Sequence, residues 1–287
     1  MSGSHWRPLQ KIDFGRLREA RAHAHQAVQW LARAAYAYIP NRPDHSQSNL
    51  GWDDALDGFV THPLKDGLRL GLRIPDLALV CLDGQGKAAA TLALDGRREQ
   101  DARAWLGEQL SARGLEARLL DTTKLPYEIP THALASGAAY DAAGQAPALR
   151  ELAAWFANAN SAIDRVRAAA AREFKASPVR CWPHHFDLAT LIVVAGEAES
   201  GRSVGVGLSP GDPSYDEPYF YITPWPYPDQ AKLADLPSLG HWHTEGYTAA
   251  VARAERILGA RNPRSETDAF LDAAVAASIK ALSSVPS

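Results

Sequence analysis

The chain is poor in cysteine, with only Cys81 and Cys181 in 287 residues. A disulfide-stapled secreted scaffold needs many more, so that class is excluded and a reducing cytoplasm is expected. Residues 1–10 hold none of the apolar core that a signal peptide carries. No apolar run reaches the roughly 18 residues that a membrane helix requires. Basic blocks are missing as well. Lys+Arg number 30 against 33 Asp+Glu, a net charge of −3, and the positive footprint of a nucleic-acid binder is absent. Gly84-Gln85-Gly86 and Gly205-Val206-Gly207 fit neither a Walker A loop nor a dinucleotide fingerprint, so no nucleotide cofactor is expected. With 46% hydrophobic and 22% charged residues, the chain has the composition of a folded globular protein rather than a disordered one.

Hydrophobic spacing predicts an α+β fold in two halves, each a helix plus an antiparallel meander, and leaves open a pseudo-duplication. The first half is 1–121, a connector 122–147 follows, and the second half is 148–287. Leu17, Ala20, Ala24, Ala27, Leu31, Ala35 and Tyr38 mark one face of a first helix that Pro40 stops. Leu68–Ile74, Leu77–Leu82 and Lys87–Leu94 read as strands, Arg97–Ala112 as a helix and Glu116–Leu120 as a strand. A long second helix runs through Leu149, Leu152, Phe156, Ile163, Val166 and Phe174. After it, 179–182, 187–195, 202–208 and 218–223 read as strands, and Tyr247–Leu258 as a helix. A last helix follows Pro263, with Ser265 and Asp268 placed as a capping box.

Four of the ten histidines fall in two short segments, Trp182-Pro183-His184-His185-Phe186-Asp187 and Gly240-His241-Trp242-His243-Thr244-Glu245. In an extended chain alternate residues share a face, so His185 points with Asp187, and His241 points with His243 and Glu245. If the two segments meet, His185, Asp187, His241 and His243 form a ligand set for a divalent metal (zinc, iron or manganese), with Glu245 as general acid/base. The same His185–Asp187 pair would also serve as an acid/base couple without metal. The competing reading makes these histidines hydrogen-bonded structural residues beside tryptophans.

Five of the nine tyrosines lie between Tyr215 and Tyr247. Tyr219 and Tyr221 would share one strand face and, with Trp182, Trp242 and Asp212, line a pocket for a small polar molecule. Turn chemistry explains Gly211-Asp212-Pro213 equally well. His23 and His25 are two apart on a helix and do not share a face. Asp53, Asp54 and Asp57 read as a helix start or a solvated loop.

Ser177-Pro178-Val179, Phe186-Asp187-Leu188-Ala189, the turn Ser209-Pro210-Gly211-Asp212, and Glu217-Pro218-Tyr219-Phe220-Tyr221 followed by Pro224-Trp225-Pro226 carry a likeness. Through them the chain resembles a family of uncharacterised bacterial proteins, a domain of unknown function. The specific motifs lie between about Ser177 and Pro228. The resemblance implies a shared α+β fold and a functional role for Phe186-Asp187 and the Pro-Tyr-Phe-Tyr strand. It implies no substrate and no reaction.

The sequence therefore leads to an enzyme acting on a small molecule by metal-assisted or acid/base chemistry. The alternatives are a non-catalytic small-ligand-binding module with an aromatic-lined pocket, and a structural or interaction protein. It does not fix an oligomeric state.

Overall fold

A computed structural model describes residues 6–197 and 201–283. The fold is α+β, with two antiparallel sheets. Among the described residues no helix is long and apolar enough to cross a membrane. The chain forms two compact units that interleave in sequence. One, here the meander unit, is 12–154 with 181–186. The other, the wide-sheet unit, holds the remaining described residues, 6–11, 155–180, 187–197 and 201–283.

In the meander unit, α1 (Phe14–Tyr38) starts at Asp13, whose Oδ1 accepts the Arg16 N–H at 3.1 Å. The stripe Leu17, Ala20, Ala24, Ala27, Leu31 and Ala35 is buried, as its spacing requires. The strands β1 (Gly51–Asp53), β2 (Gly58–Val60), β3 (Arg69–Arg73), β4 (Ala78–Leu82) and β5 (Ala88–Ala93) pair in chain order, each antiparallel to the next. β4 is buried along its whole length, and α1 packs against β3. The first two strands were not expected. The acidic run between them is a turn in which Asp53 Oδ1 accepts the N–H groups of Ala55 and Leu56, each at 2.9 Å. Gly58 lets β2 approach β3, since a Cβ there would lie 2.0 Å from the Leu72 carbonyl oxygen. Two helices follow, α2 (Glu99–Ser111) and α3 (Ala117–Thr122). The strand expected over 116–120 is thus a helix, whose one fully buried contact is Leu120.

The chain leaves the meander unit inside α4 (Ala142–Ala170), which begins seven residues before the first residue of its expected stripe. Asp141 Oδ1 caps it through the Gly144 N–H at 2.9 Å. The remaining strands are β6 (Lys175–Ala176), β7 (Arg180–Trp182), β8 (Asp187–Ala195), β9 (Arg202–Ser209), β10 (Tyr219–Trp225), β11 (His241–His243) and β12 (Ala249–Arg253). In the wide-sheet unit the order is β6-β8-β9-β10-β12-β11, a meander except that β12 inserts between β10 and β11. β12 and the short α5 (Ala254–Gly259) replace the helix expected over 247–258. Thr248–Ala252 is buried throughout, so pairing with β10 and β11 overrides the helical spacing of Val251, Ala254 and Leu258.

The last helix, α6 (Pro263–Ser283), packs on β9, β10 and β12. Its cap lies three residues earlier than expected. Asn262 Oδ1 accepts the Ser265 N–H at 3.1 Å, and Glu266 Oε1 accepts the Asn262 N–H at 2.9 Å. Pro263 holds the first helical position, where a missing N–H costs nothing. Asp268 instead accepts from Arg165 Nε at 3.2 Å.

Candidate functional site

The sheet of the wide-sheet unit has one face under α6 and one face rich in polar aromatic groups. On β10, Phe220 and Ile222 are fully buried, and Tyr219 and Tyr221 alternate with them onto the other face. The register extends that face across the strands. Tyr221 is opposite Gly207 on one side and Val251 on the other, and Val251 is opposite His241. Tyr219 is opposite Ser209 and Arg253. Gly207 leaves room for the Tyr221 ring, because a Cβ there would fall 2.4 Å from its Cζ and Oη. The Tyr221 hydroxyl donates to Asp187 Oδ2, and the Tyr219 hydroxyl donates to Asp212 Oδ2. Burial, reinforced by these carboxylates, pushes both phenols far up, so they stay neutral donors.

Asp212 also builds the turn that presents Tyr215. Its Oδ1 accepts the N–H groups of Ser214 at 2.8 Å and Tyr215 at 3.1 Å, and its own N–H reaches the Tyr215 carbonyl at 2.8 Å. The Tyr215 hydroxyl then lies 3.1 Å from His241 Nε2 and 2.9 Å from His243 Nδ1. The far nitrogen of His243, Nε2, is 2.8 Å from the Glu245 carbonyl oxygen. A carbonyl only accepts, so Nε2 carries the proton and Nδ1 is the acceptor. Tyr215 therefore donates to His243, and its oxygen accepts from His241 Nε2–H. The direction of the chain is fixed: His241, Tyr215, His243, Glu245 carbonyl.

Two further groups frame this chain. The Arg253 guanidinium stands 5.6 Å over the Tyr215 ring. It is held by Glu217, 3% exposed, through Arg253 Nε at 2.5 Å, while the second Glu217 oxygen accepts the Glu255 N–H at 2.6 Å. The His243 ring stacks on Tyr247 at 4.2 Å. Partial desolvation of the ring, and after it Arg253, His243 and Arg256, lowers the pKa of His241, although the residue as a whole is exposed, and this keeps it neutral near pH 7. Burial raises the Tyr215 phenol, with Arg253 opposing.

The sequence-predicted residues divide as follows. Asp187, Asp212, Tyr219, Tyr221, His241, His243, Trp242 and Glu245 belong to the wide-sheet unit, whereas Trp182 and His185 belong to the meander unit. Trp242 is half-buried and donates from Nε1 to the Ala234 carbonyl at 2.8 Å. Glu245 contributes its carbonyl to the His243 bond, and its side chain is exposed. The extended run expected over 182–187 is a tight turn. The Trp182 carbonyl accepts the N–H groups of His185 at 3.1 Å and Phe186 at 2.7 Å, and Phe186 has φ 57°. Alternation therefore fails there: His184 and His185 lie side by side, ring centres 4.1 Å apart. Phe186 is buried and stacks on His25 at 5.2 Å. Arg253 was missed as a partner of the site. Arg253 falls in the segment misread as helix, so nothing in the sequence placed it opposite Tyr219.

Among the described residues one trio of possible metal-binding side chains comes within 4.8 Å: Glu19, His23 and His132 of the meander unit. The hydrogen bonds argue against a cation there. His23 Nδ1 faces the Asp141 N–H at 3.4 Å, and His132 Nδ1 faces the Leu134 N–H at 3.3 Å. Both rings thus carry their proton on Nε2, directed at Glu19 Oε1 at 3.4 and 3.2 Å. Metal-binding imidazoles show the reverse, with the lone pair inward and the outer N–H donating to an acceptor. The trio is a pair of imidazoles clamping a carboxylate.

Comparison with protein-family models, with curated proteins and with solved structures finds no match.

Proposed function

We propose that the protein is an enzyme that performs acid/base chemistry on a small molecule at the polar face of the wide sheet, with His241 as the proton-accepting group. The observation that carries this reading is the one-way hydrogen-bond chain from His241 through Tyr215 to His243. With its Nε2–H given to Tyr215, His241 keeps a lone pair on Nδ1, and its residue is exposed. A proton taken from a substrate onto Nδ1 lets the Nε2 proton pass to the Tyr215 oxygen. The Tyr215 proton then passes to His243 Nδ1. The positive charge ends on His243, against the face of Tyr247 and one step removed from Arg253, which disfavours it on His241. Asp212 positions Tyr215, and Glu217 positions Arg253. A divalent metal at His241 and His243 would have to displace the Tyr215 hydroxyl from between them.

A panel of esters, lactones and phosphate esters, offered to the full chain and to His241→Ala, tests the proposal. Turnover that rises with pH as His241 loses its proton, and that falls by about a hundredfold or more in His241→Ala, supports it. Turnover unchanged in that variant overturns it. A compound that binds the sheet face but is never converted also overturns it, in favour of a binding module.

A further inference from the structure

β5 is the outer strand of the five-stranded sheet in the meander unit, and its six residues make it the longest edge strand among the described residues. The other strands at sheet edges, β1, β6, β7 and β11, have two or three residues each. A row of unpaired backbone groups is a template for another strand, so long edges are ordinarily guarded by charge or proline. Ala88-Ala89-Ala90-Thr91-Leu92-Ala93 has neither. Its one guard is a bulge at Ala89, which has no partner on β4.

The ladder fixes which groups face outward. The Leu94 N–H donates to the Leu77 carbonyl at 2.9 Å. By alternation Leu92 and Ala90, opposite Leu79 and Cys81, also turn their backbone groups to β4. Thr91 and Ala93 turn theirs away from it. Ala88, Ala89, Thr91 and Ala93 are exposed, and among the described residues no strand pairs with that side.

The two ends of the strand say what fits there. Lys87, just before it, is exposed, and its ammonium has no partner among the described residues. Asp95, just after it, is also exposed, with Oδ1 accepting the Ala143 N–H at 2.8 Å. The Arg97 N–H turns back to the Leu94 carbonyl at 2.8 Å, which takes Arg97 off the line of the strand. The strand thus ends in a cation on one side and an anion on the other, at equal distance in sequence from Thr91.

We propose that β5 is a dimerisation edge, pairing antiparallel with β5 of a second copy about a two-fold axis at Thr91. Lys87 of each copy then faces Asp95 of the other, and the long lysine stem spans the one-residue offset of the bulge. The two Thr91 residues exchange both backbone hydrogen bonds, and a directly opposed threonine pair is favourable. Parallel pairing sets Lys87 beside Lys87 and does not close on a two-fold.

Sedimentation velocity of the full chain from about 1 to about 200 µM, with hydrogen exchange read at Thr91 and Ala93, tests this. The chain should pass from monomer to dimer, and exchange of both amides should slow at least about tenfold at the higher concentration. Thr91→Pro removes an outward N–H and no bond within the sheet, so the folded variant should dimerise at least about tenfold more weakly. Lys87→Glu should weaken dimerisation about threefold or more in low salt and have no effect at about 1 M salt. If Thr91→Pro fails to fold, Thr91→Lys, which sets two cations face to face across the axis, takes its place. A monomer throughout the range overturns the proposal. So does a dimer that survives in a folded Thr91 variant, that is indifferent to Lys87→Glu in low salt, or that forms without slowing those amides.

Discussion

Gly207 lies directly beneath the ring of Tyr221, on the neighbouring strand and in register with it, so close that a Cβ would meet the phenol 2.4 Å away. The ring can leave only by breaking its bond to Asp187. Gly207→Ala should therefore destabilise the chain by about 1–3 kcal/mol, in the range of overpacking. Urea unfolding followed by tryptophan fluorescence measures it. An unchanged midpoint would mean that the tyrosine is free to swing aside.

Arg253 is the largest cause after burial of the lowered pKa of His241. Removing a nearby cation makes protonation easier, so Arg253→Met should raise the His241 pKa towards its ordinary value. Titration of the imidazole resonances by NMR follows this directly. A constant or falling pKa would remove Arg253 from the electrostatics of the site.

His25 is held neutral. Its Nε2–H donates to the Pro183 carbonyl at 2.9 Å, and burial lowers its pKa from 6.5 to about 4. Between those two values the unfolded chain takes up a proton that the folded chain refuses. Stability is therefore complete above pH 6.5 and falls as the pH drops towards 4, by at most about 1.4 kcal/mol per pH unit from this group. His184, also lowered to about 4 mainly by burial, acts in the same direction. Urea midpoints across this window should be flatter for His25→Gln than for the parent chain. Equal slopes would exclude His25 as a source of acid sensitivity.

Cys81 is fully buried on β4, and burial pushes its thiol up to about 11. Cys181 is equally buried. Neither thiol should react with a disulfide reagent at pH 8 in the folded chain, and both should react in denaturant, since the thiolate is the nucleophile. Fast labelling of either in the native state would contradict the packing of β4 or of the 181–186 strip.

The sequence was most legible where one periodicity acted alone. The α1 stripe, the strands β3 to β5, and β8 over 187–195 needed nothing beyond local spacing and the turns between them. It was least legible where pairing partners decide. Ala249–Arg253 is helix-like in composition and becomes a strand because strands lie on both sides of it. Gly51–Asp53 and Gly58–Val60 are too short to show a period, and their acidic turn masks them. His241 and His243 do alternate on one strand, β11, but what joins them, the Tyr215 hydroxyl, comes from 26 residues away along the chain, and nothing local pairs it with them. At Trp182–Phe186 the left-handed conformation of Phe186, unusual for a bulky residue, broke the alternation on which pairing His185 with Asp187 depended.

The strip Cys181–Phe186 has a consequence for how this protein can be divided. It belongs to the meander unit, while the residues on either side of it belong to the other. Leu50 and Cys181 exchange both backbone hydrogen bonds, at 2.9 and 2.8 Å, and the Phe186 ring meets Phe59 at 6.0 Å. A gene fragment encoding 12–154 would end before its own core is finished. No pair of cuts can excise the meander unit as one uninterrupted peptide without taking part of its neighbour along. The two units are sewn together by their covalent thread, so insertion, truncation and recombination have to treat them as a single cloth.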